Sequence, residues 1–228
     1  MWRMVSVSGT KPTRKPVEYR HYRDGRNAPY AFRKADMNIA QDRLEYLKER
    51  ARYYKLVGVC QPVLDDPRFV VWSGSSKPFQ HHYGRGGLVT HISEVVKLML
   101  QINMTMDYQL FDKHLFLAGL FHDVGKMWDY EPLDSTDYKE WRGTAHKRHI
   151  HHITRSGLVW MESAKKDMPT ETQDDVLHAI LAHHGRREAG SPVYPATKLA
   201  WILHFCDGIS ARMNDADKCD YLSEVRGS

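Results

Sequence analysis

The segment Phe121-His122-Asp123-Val124-Gly125-Lys126 places an imidazole beside a carboxylate at the end of the apolar run 115–121. An ionised carboxylate in apolar surroundings needs a partner, because leaving it unpaired costs several kcal/mol. A metal ion is the simplest partner for an adjacent His and Asp. Other predicted helices carry further candidate ligands at their polar ends or in their apolar stripes: His91, His152, His183, His184 and Asp207.

Apolar residues recur at helical spacing around several of these ligands. The pattern predicts a helix over 88–104 with His91 on its buried face, and a second over 111–122 that ends at His122. A third stripe covers 176–184 and stops at Gly185, and a fourth runs from about 196 through Asp207. Polar ligands inside apolar stripes indicate an all-α helical bundle with a metal site in its core.

Pro and Gly separate the other predicted elements. A first helix is expected over 36–54. Residues 60–87 contain three prolines and several Gly and Ser, so we expect a loop there with at most a short strand over 68–72. Residues 1–35 also hold three prolines and show no apolar period, which predicts a loop or an extended arm.

The net charge of +5 is concentrated in this arm, which carries nine Lys or Arg against Glu18 and Asp24. The arm is therefore +7 and the remainder about −2. Five aromatic residues are interleaved with the cations: Trp2, Tyr19, Tyr22, Tyr30 and Phe32. Such a composition can neutralise phosphates and stack on bases, and it is equally typical of a solvated, partly disordered terminus.

Composition excludes several kinds of protein. No apolar run approaches the roughly 20 residues that span a bilayer, and the first residues lack the apolar segment of a signal peptide, so we expect a cytoplasmic protein with no membrane partner. The three cysteines have no CxxC spacing, which argues against a disulfide framework and a cysteine zinc site. Histidine must then supply any nitrogen ligands.

Neutral imidazoles with carboxylates suit Mn, Fe, Co, Ni or Zn, whereas Mg sites show more oxygen ligands. Manganese is the favoured ion. The candidate ligands exceed what one ion needs. Two ions about 3.5–4 Å apart, bridged by a carboxylate and a hydroxide, would use all of them and would suit phosphoryl displacement.

The order of these ligands resembles the HD-domain phosphohydrolase superfamily, in the variant with extra histidines for a second metal. The chain is most similar to the HD part of YhaM-like 3′-to-5′ exoribonucleases, over about residues 80–213. Beyond the basic arm over 1–35, which its composition indicates, the resemblance implies an HD phosphohydrolase domain over 36–228. The motifs that carry it are Gly86-Gly87-Leu88-Val89-Thr90-His91, Leu120-Phe121-His122-Asp123-Val124-Gly125-Lys126, Ile180-Leu181-Ala182-His183-His184-Gly185, Gly190-Ser191-Pro192 and Leu203-His204-Phe205-Cys206-Asp207.

The resemblance also implies a role for each ligand. Asp123 would bridge the two ions, and a metal-activated hydroxide would be the nucleophile. Lys126 would offer a cation to a phosphate oxygen. The first ion would be held by His91, His122, Asp123 and Asp207, and the second by Asp123, His152, His183 and His184.

The ligand near residue 150 is left open among His149, His151 and His152. His152 is preferred because Ile153 and Gly157 align with the related pattern.

Cationic residues flank the ligands of the predicted second metal and would meet phosphate oxygens. Arg186 and Arg187 follow His184-Gly185, and Arg148 precedes His152 with Lys147 beside it. His81 and His82 come before the Gly86-Gly87 turn, where they would line the mouth of a substrate site.

The related exoribonucleases carry an OB-fold domain before the HD part, but the 80 or so residues before the match here do not resemble a five-stranded barrel. The leading hypothesis is an enzyme, a metal-dependent phosphodiesterase with 3′-to-5′ exonuclease-like activity on single-stranded nucleic acid. Alternatives are a hydrolase of dNTPs or nucleoside monophosphates and a non-catalytic binding module. Self-association into homo-oligomers stays open.

Overall fold

The computed structural model describes residues 34–78, 80–107 and 109–215, and this part of the chain is mainly helical. The all-α prediction is therefore confirmed. The elements are α1 (Lys34–Tyr53), α2 (Val57–Leu64), α3 (Gly87–Thr105), α4 (Asp112–Phe121), α5 (Lys126–Asp129), β1 (Tyr130–Pro132), β2 (Trp141–Gly143), α6 (Ala145–His149), α7 (His152–Ala164), α8 (Thr170–Ala182), a 3-10 turn (Arg187–Ala189) and α9 (Lys198–Asp215).

The centre of the bundle is the pair α3 and α4. Helix α3 packs on α1, α4 and α9, while α8 packs on α4, α7 and α9. Residues 115–121 of α4 are all fully buried, as expected of a helix that is apolar on every side. The chain leaves this central helix at His122, so the His122-Asp123 pair lies inside the bundle.

The predicted helices around the ligands are confirmed. The prediction for 88–104 corresponds to α3, that for 111–122 to α4, and that for 36–54 to α1. Helix α8 ends at Ala182, directly before His183 and His184, and Gly185 adopts a positive φ of 79° there. The last predicted helix begins at Lys198 and continues past Asp207.

The predicted loop over 60–87 was wrong at its start, because residues 60–64 belong to α2. Pro62 lies inside this helix. Its missing N–H leaves the carbonyl of Gly58 without a helical partner. Both Gly58 and Pro62 are exposed, so water can replace that bond, while Val59 and Val63 on the other face are buried.

The short strand allowed over 68–72 is also absent from the described residues, which form turns there. Instead, β1 and β2 form an antiparallel pair in which Glu131 faces Arg142. Trp72 donates its indole N–H to the carbonyl of Tyr130 and packs against Trp141. Contacts with β1 and β2 therefore hold the turns over 68–72 next to the end of α5.

Within the described ranges, every helix is too short or too polar to cross a membrane. The cytoplasmic location stays a prediction. Residues 1–33 of the arm lie outside the described residues, so the predicted phosphate and base contacts of that segment stay predictions.

Candidate metal centre

The structure brings the seven predicted ligands together where α3, α4, α7, α8 and α9 converge. They form two clusters, and within each the ligand atoms lie within 4.8 Å of one another. The first cluster is His91, His122, Asp123 and Asp207; the second is His152, His183 and His184.

Asp123 lies between the imidazoles of the first cluster and those of the second, and it turns one carboxylate oxygen towards each set. Its Oδ2 is 3.2 Å from Nε2 of His91 and 3.5 Å from Nε2 of His122. Its Oδ1 is 3.5 Å from Nε2 of His152 and 3.6 Å from Nε2 of His183. This placement is the one that a carboxylate bridging two cations requires.

Asp207 completes the first cluster from α9. Its Oδ1 lies 3.1 Å from Nε2 of His91 and 3.8 Å from Nε2 of His122. Burial alone would lower the pKa of His91, but hydrogen bonds to Asp123 and Asp207 outweigh burial and raise it. The two carboxylates thus favour positive charge at this point, which a divalent cation can supply.

Three of the imidazoles are oriented by backbone carbonyl groups. Nδ1 of His122 donates to the carbonyl oxygen of Gly119 (2.8 Å), and Nδ1 of His183 donates to that of Ile180 (2.7 Å). His184 donates in the same way to Ala189 (2.7 Å). Because a carbonyl oxygen only accepts, Nδ1 of each ring carries a proton, and Nε2 is the nitrogen left to bind a metal.

His91 is oriented by a hydroxyl and a carboxylate. Ser210 donates its O–H to Oε2 of Glu94 (2.9 Å), so its oxygen accepts from Nδ1 of His91 (3.1 Å). Burial would raise the pKa of Glu94, but hydrogen bonds from His82 and Ser210 lower it to about 2. Glu94 is therefore ionised and holds Ser210 in the accepting orientation.

The network also fixes His82, which was predicted to line the substrate mouth. Its Nε2 lies 3.0 Å from Oε2 of Glu94, and its side chain is only 3% exposed. The ring packs behind His91, with centroids 4.9 Å apart. Its neighbour His81, by contrast, lines the cavity over the metal centre.

Asp129 orients His152, a role that sequence reasoning missed. Its Oδ2 accepts from the backbone N–H of His152 (2.9 Å) and from Nδ1 of the same residue (3.1 Å). Its Oδ1 accepts from Nδ1 of His146 (2.7 Å). Burial lowers the pKa of His152 to about 4 although Asp129 opposes this shift, so the ring is neutral at pH 7 with its Nε2 lone pair available.

These contacts distinguish the three histidines that the sequence left open. His149 is exposed, whereas His152 is buried and directs Nε2 at Asp123. His151 approaches Asp129 and His152 closely, but both oxygens of Asp129 already accept hydrogen bonds. The geometry therefore favours His152 as the ligand.

The residues fit a bound cation. Within the described part of the chain, three buried atoms of the centre have no hydrogen-bond partner: Oδ1 of Asp123, Nε2 of His152 and Nε2 of His183. Each such atom costs about 1–3 kcal/mol when it is left unsatisfied. All three belong to the contacts between Asp123 and the second cluster, so one divalent cation there can satisfy them together.

Lys126 is the first residue of α5 and is almost completely buried. Its Nζ lies 2.6 Å from Oδ2 of Asp123. Burial opposes its charge, but Asp123 outweighs burial and raises the pKa of Lys126, so the ammonium group persists at neutral pH.

The backbone of His152 packs closely against residue 125 because this residue is Gly. A Cβ at position 125 would lie 2.2 Å from the carbonyl oxygen of His152. The backbone N–H of Gly125 also donates to Oγ of Ser156 (2.9 Å).

A cavity of about 250 Å³ opens onto the centre. Sequence reasoning missed the contributions of His204 and Arg212 to its wall. The lining residues are His81, Lys126, His184, His204, Asp207, Gly208, Ala211 and Arg212. The predicted phosphate contacts Arg148, Arg186 and Arg187 are exposed and are not among them.

A larger, open concavity of about 660 Å³ lies at the end of α2. Its cation, Arg68, is held by Asp66 at 2.7 Å, and no histidine lines it. We therefore assign the chemistry to the smaller cavity, because the ligand clusters and Lys126 converge there.

We expect Asp129→Asn to lower the metal affinity of the second cluster by about 10- to 100-fold, because the carboxylate no longer fixes the His152 ring. Titration of the metal-free protein with Mn²⁺ measures this change. Asp134→Asn is the matched control, since Asp134 is exposed and bonds only locally to Thr136. Equal affinities in the two variants would show that Asp129 does not position His152.

Comparison with known proteins agrees with this geometry. A family model described as HD domain matches residues 88–212, more than half of the chain. The 3'-5' exoribonuclease YhaM of Bacillus subtilis (strain 168) is 31% identical over 141 residues, which are 60% of this chain and 42% of that protein. The chain thus spans less than half the length of this relative. No solved structure matches the chain.

Proposed function

Because the chain belongs to the HD-domain family of metal-dependent hydrolases, we propose that it is a phosphodiesterase that removes nucleotides from the 3′ end of single-stranded nucleic acid. The observation that carries this proposal is Asp123, whose two oxygens each face one cluster of imidazoles. The name of the Bacillus subtilis relative supports a nucleic acid as the substrate.

The proposed cofactor is a pair of divalent transition-metal ions. His91, His122, Asp123 and Asp207 would hold one, and Asp123, His152, His183 and His184 the other. Manganese is favoured because Asp123 and Asp207 add carboxylate oxygens to the imidazoles. When bound, the ions would supply Lewis acidity and activate water for attack on phosphorus.

The protein's own groups would bind and orient the phosphodiester. Lys126 would donate from Nζ to a phosphate oxygen beside the bridging carboxylate, where burial strengthens the interaction. Arg212 would meet the phosphate at the rim of the cavity.

The size of the cavity favours action at a chain end. Its volume of about 250 Å³ lies below the roughly 300–1,000 Å³ of typical ligand sites, so it has room for no more than one terminal nucleotide. The rest of a polymer would remain outside. Arg148, Arg186 and Arg187 are exposed and would contact its outer phosphates.

The same cavity size suits a second candidate, a phosphohydrolase of free nucleotides. A substrate panel separates the two. We expect the full chain with Mn²⁺ to shorten 5′-labelled single-stranded RNA or DNA stepwise from the 3′ end, and to hydrolyse dNTPs, nucleoside monophosphates and cyclic dinucleotides more slowly. Faster hydrolysis of dNTPs than of either polymer would make the second candidate the better one.

The arm provides a further test of the substrate class. If it tracks a phosphate backbone, deleting residues 1–33 should raise KM for single-stranded nucleic acid and flatten its salt dependence. Each lost phosphate contact removes about 0.7 from the log–log slope. The internal control is a free nucleotide, which has no polymer backbone for the arm to track. An unchanged slope would argue that the arm does not contact the polymer.

A further inference from the structure

One side of α9 carries large apolar side chains that remain exposed. Trp201 is 46% exposed and Phe205 is 57% exposed, and Ile209 and Met213 continue the stripe at four-residue spacing. The opposite side of the same helix is buried through Leu203. The helix is therefore anchored in the core while this stripe faces solvent.

Trp201 and Phe205 stack on each other. Their ring centroids are 5.6 Å apart and their planes are inclined by only 23°. Nearly parallel rings offer a π-face on which another planar ring can stack. Every nucleobase has such a face, and stacking on exposed aromatic side chains is how single strands are bound without sequence preference.

The two rings contact His204, which lines the cavity over the candidate metal centre. Asp207 and Arg212 lie on the same helix and line the cavity. Arg212 follows Phe205 by seven residues and Trp201 by eleven, so the three lie on one side of α9. Trp201 is about 9 Å along the helix axis from Asp207, roughly two to three base steps of about 3.4 Å.

We propose that Trp201 and Phe205 are a stacking platform for the bases of a single-stranded nucleic acid whose terminal phosphodiester lies at the metal centre. This proposal rests on the proposed function for the position of the scissile bond. Arg212, which lies five residues beyond Asp207 on α9 and lines the cavity, would contact the terminal phosphodiester.

The surroundings favour a polyanion over a second copy of the chain. The stripe borders Arg212 and the cavity that contains Lys126, and cations there suit phosphates, whereas the centre of a protein interface is depleted of charge. An exposed patch of four side chains covers a few hundred Å², less than the about 800 Å² per partner that a stable protein complex needs.

The test measures binding of a fluorescein-labelled, phosphorothioate-linked 12-nucleotide single-stranded RNA to the full metal-loaded chain by fluorescence anisotropy. We expect Trp201→Ala to raise Kd about 10-fold, within the range that loss of one stacked base gives. Trp201→Phe should stay within about 3-fold of wild type, since it keeps a π-face. Trp201→Leu keeps apolar bulk without a π-face and should bind as weakly as Trp201→Ala.

Phe111→Ala is the matched control. Phe111 is 72% exposed and precedes His122 by eleven residues, about 16 Å along α4. Its removal should leave Kd unchanged. The stacking platform would be overturned if Trp201→Leu bound the RNA with wild-type affinity, or if Phe111→Ala lost as much affinity as Trp201→Ala. A lower sedimentation coefficient for Trp201→Ala than for wild type would also overturn it, because that result would indicate an interface between copies of the chain.

Hydrolysis separates this proposal from the proposed function. In Trp201→Ala we expect KM for the unmodified 12-nucleotide RNA to rise about 10-fold, while kcat and the hydrolysis of bis(p-nitrophenyl) phosphate stay unchanged. A fall in kcat with unchanged KM would contradict a binding role. If wild type hydrolyses none of these substrates, the proposed function fails, and the anisotropy series still decides whether the platform binds RNA.

Discussion

Asp123→Ala is expected to release both metal ions and to lower kcat by about 10³-fold or more. The reason is geometric: Oδ2 of Asp123 faces His91 and His122, and Oδ1 faces His152 and His183. Loss of one positioned electrostatic group alone typically costs about 10²- to 10³-fold, and here the bridge between both sites is removed. Elemental analysis and rate measurements on the same preparations test this expectation.

His183→Ala is the comparison variant, because His183 contacts only the Oδ1 side of Asp123. We expect it to retain about one equivalent of metal in the first cluster. Chelation with EDTA should inactivate wild type, and Mn²⁺ should restore it. Equal metal loss in the two variants would instead indicate a single site, and full activity after chelation would exclude a metal mechanism.

The position of the candidate ligands in the core could be predicted from sequence, because helical periodicity determines which face a side chain occupies. His91 lies in the buried stripe of α3, and His183 and His184 follow α8 just before Gly185. Each position depends on neighbours within two turns of the same helix. The local pattern was therefore sufficient to place these ligands at the core.

The groups that orient the ligands could not be predicted in this way. Asp129 meets His152 across 23 positions, and Ser210 meets Glu94 across 116. No periodicity within one element connects such pairs, because their contact depends on how distant helices pack. The sequence left His149, His151 and His152 open and preferred His152 only through the family resemblance, because helical periodicity does not separate the three. In the structure, the burial of His152 and its hydrogen bonds to Asp129 favour it.

The missed elements have a similar cause. Helix α2 is short and contains Pro62, so local breaker rules favoured a loop, although burial of Val59 and Val63 stabilises the helix. The strands β1 and β2 have three residues each, too few to show an alternating pattern. Tertiary packing decided the structure in both places.

Lys126→Met is expected to lower kcat by about 10²-fold while the metal content stays unchanged. Lys126 is a buried cation that lines the cavity, and a positioned donor to the transition state is typically worth that much. Methionine keeps most of the side-chain volume but removes the charge. Hydrolysis rates with elemental analysis measure the effect, and an unchanged rate would show that Lys126 does not act on the substrate.

Stability provides a second readout for Lys126→Met. In the metal-free protein the substitution leaves Asp123 buried without its closest cation, and breaking a buried pair costs about 3–5 kcal/mol. Burial alone would raise the pKa of Asp123, but Lys126 and His122 outweigh it and lower the pKa well below 3.8. The stabilisation that the ionised Asp123 provides is therefore present above pH 3.8, the ordinary pKa of an Asp side chain. It is lost as the pH falls through the lower pKa that Asp123 has in the folded protein.

We thus expect the metal-free variant to unfold more easily than metal-free wild type at pH 7, and the difference to shrink below about pH 4. Bound metal should reduce the difference at pH 7, because the ions then compensate the charge of Asp123. A difference of the same size with and without metal would mean that Lys126 acts through packing, and a catalytic defect in that variant would then have a structural cause.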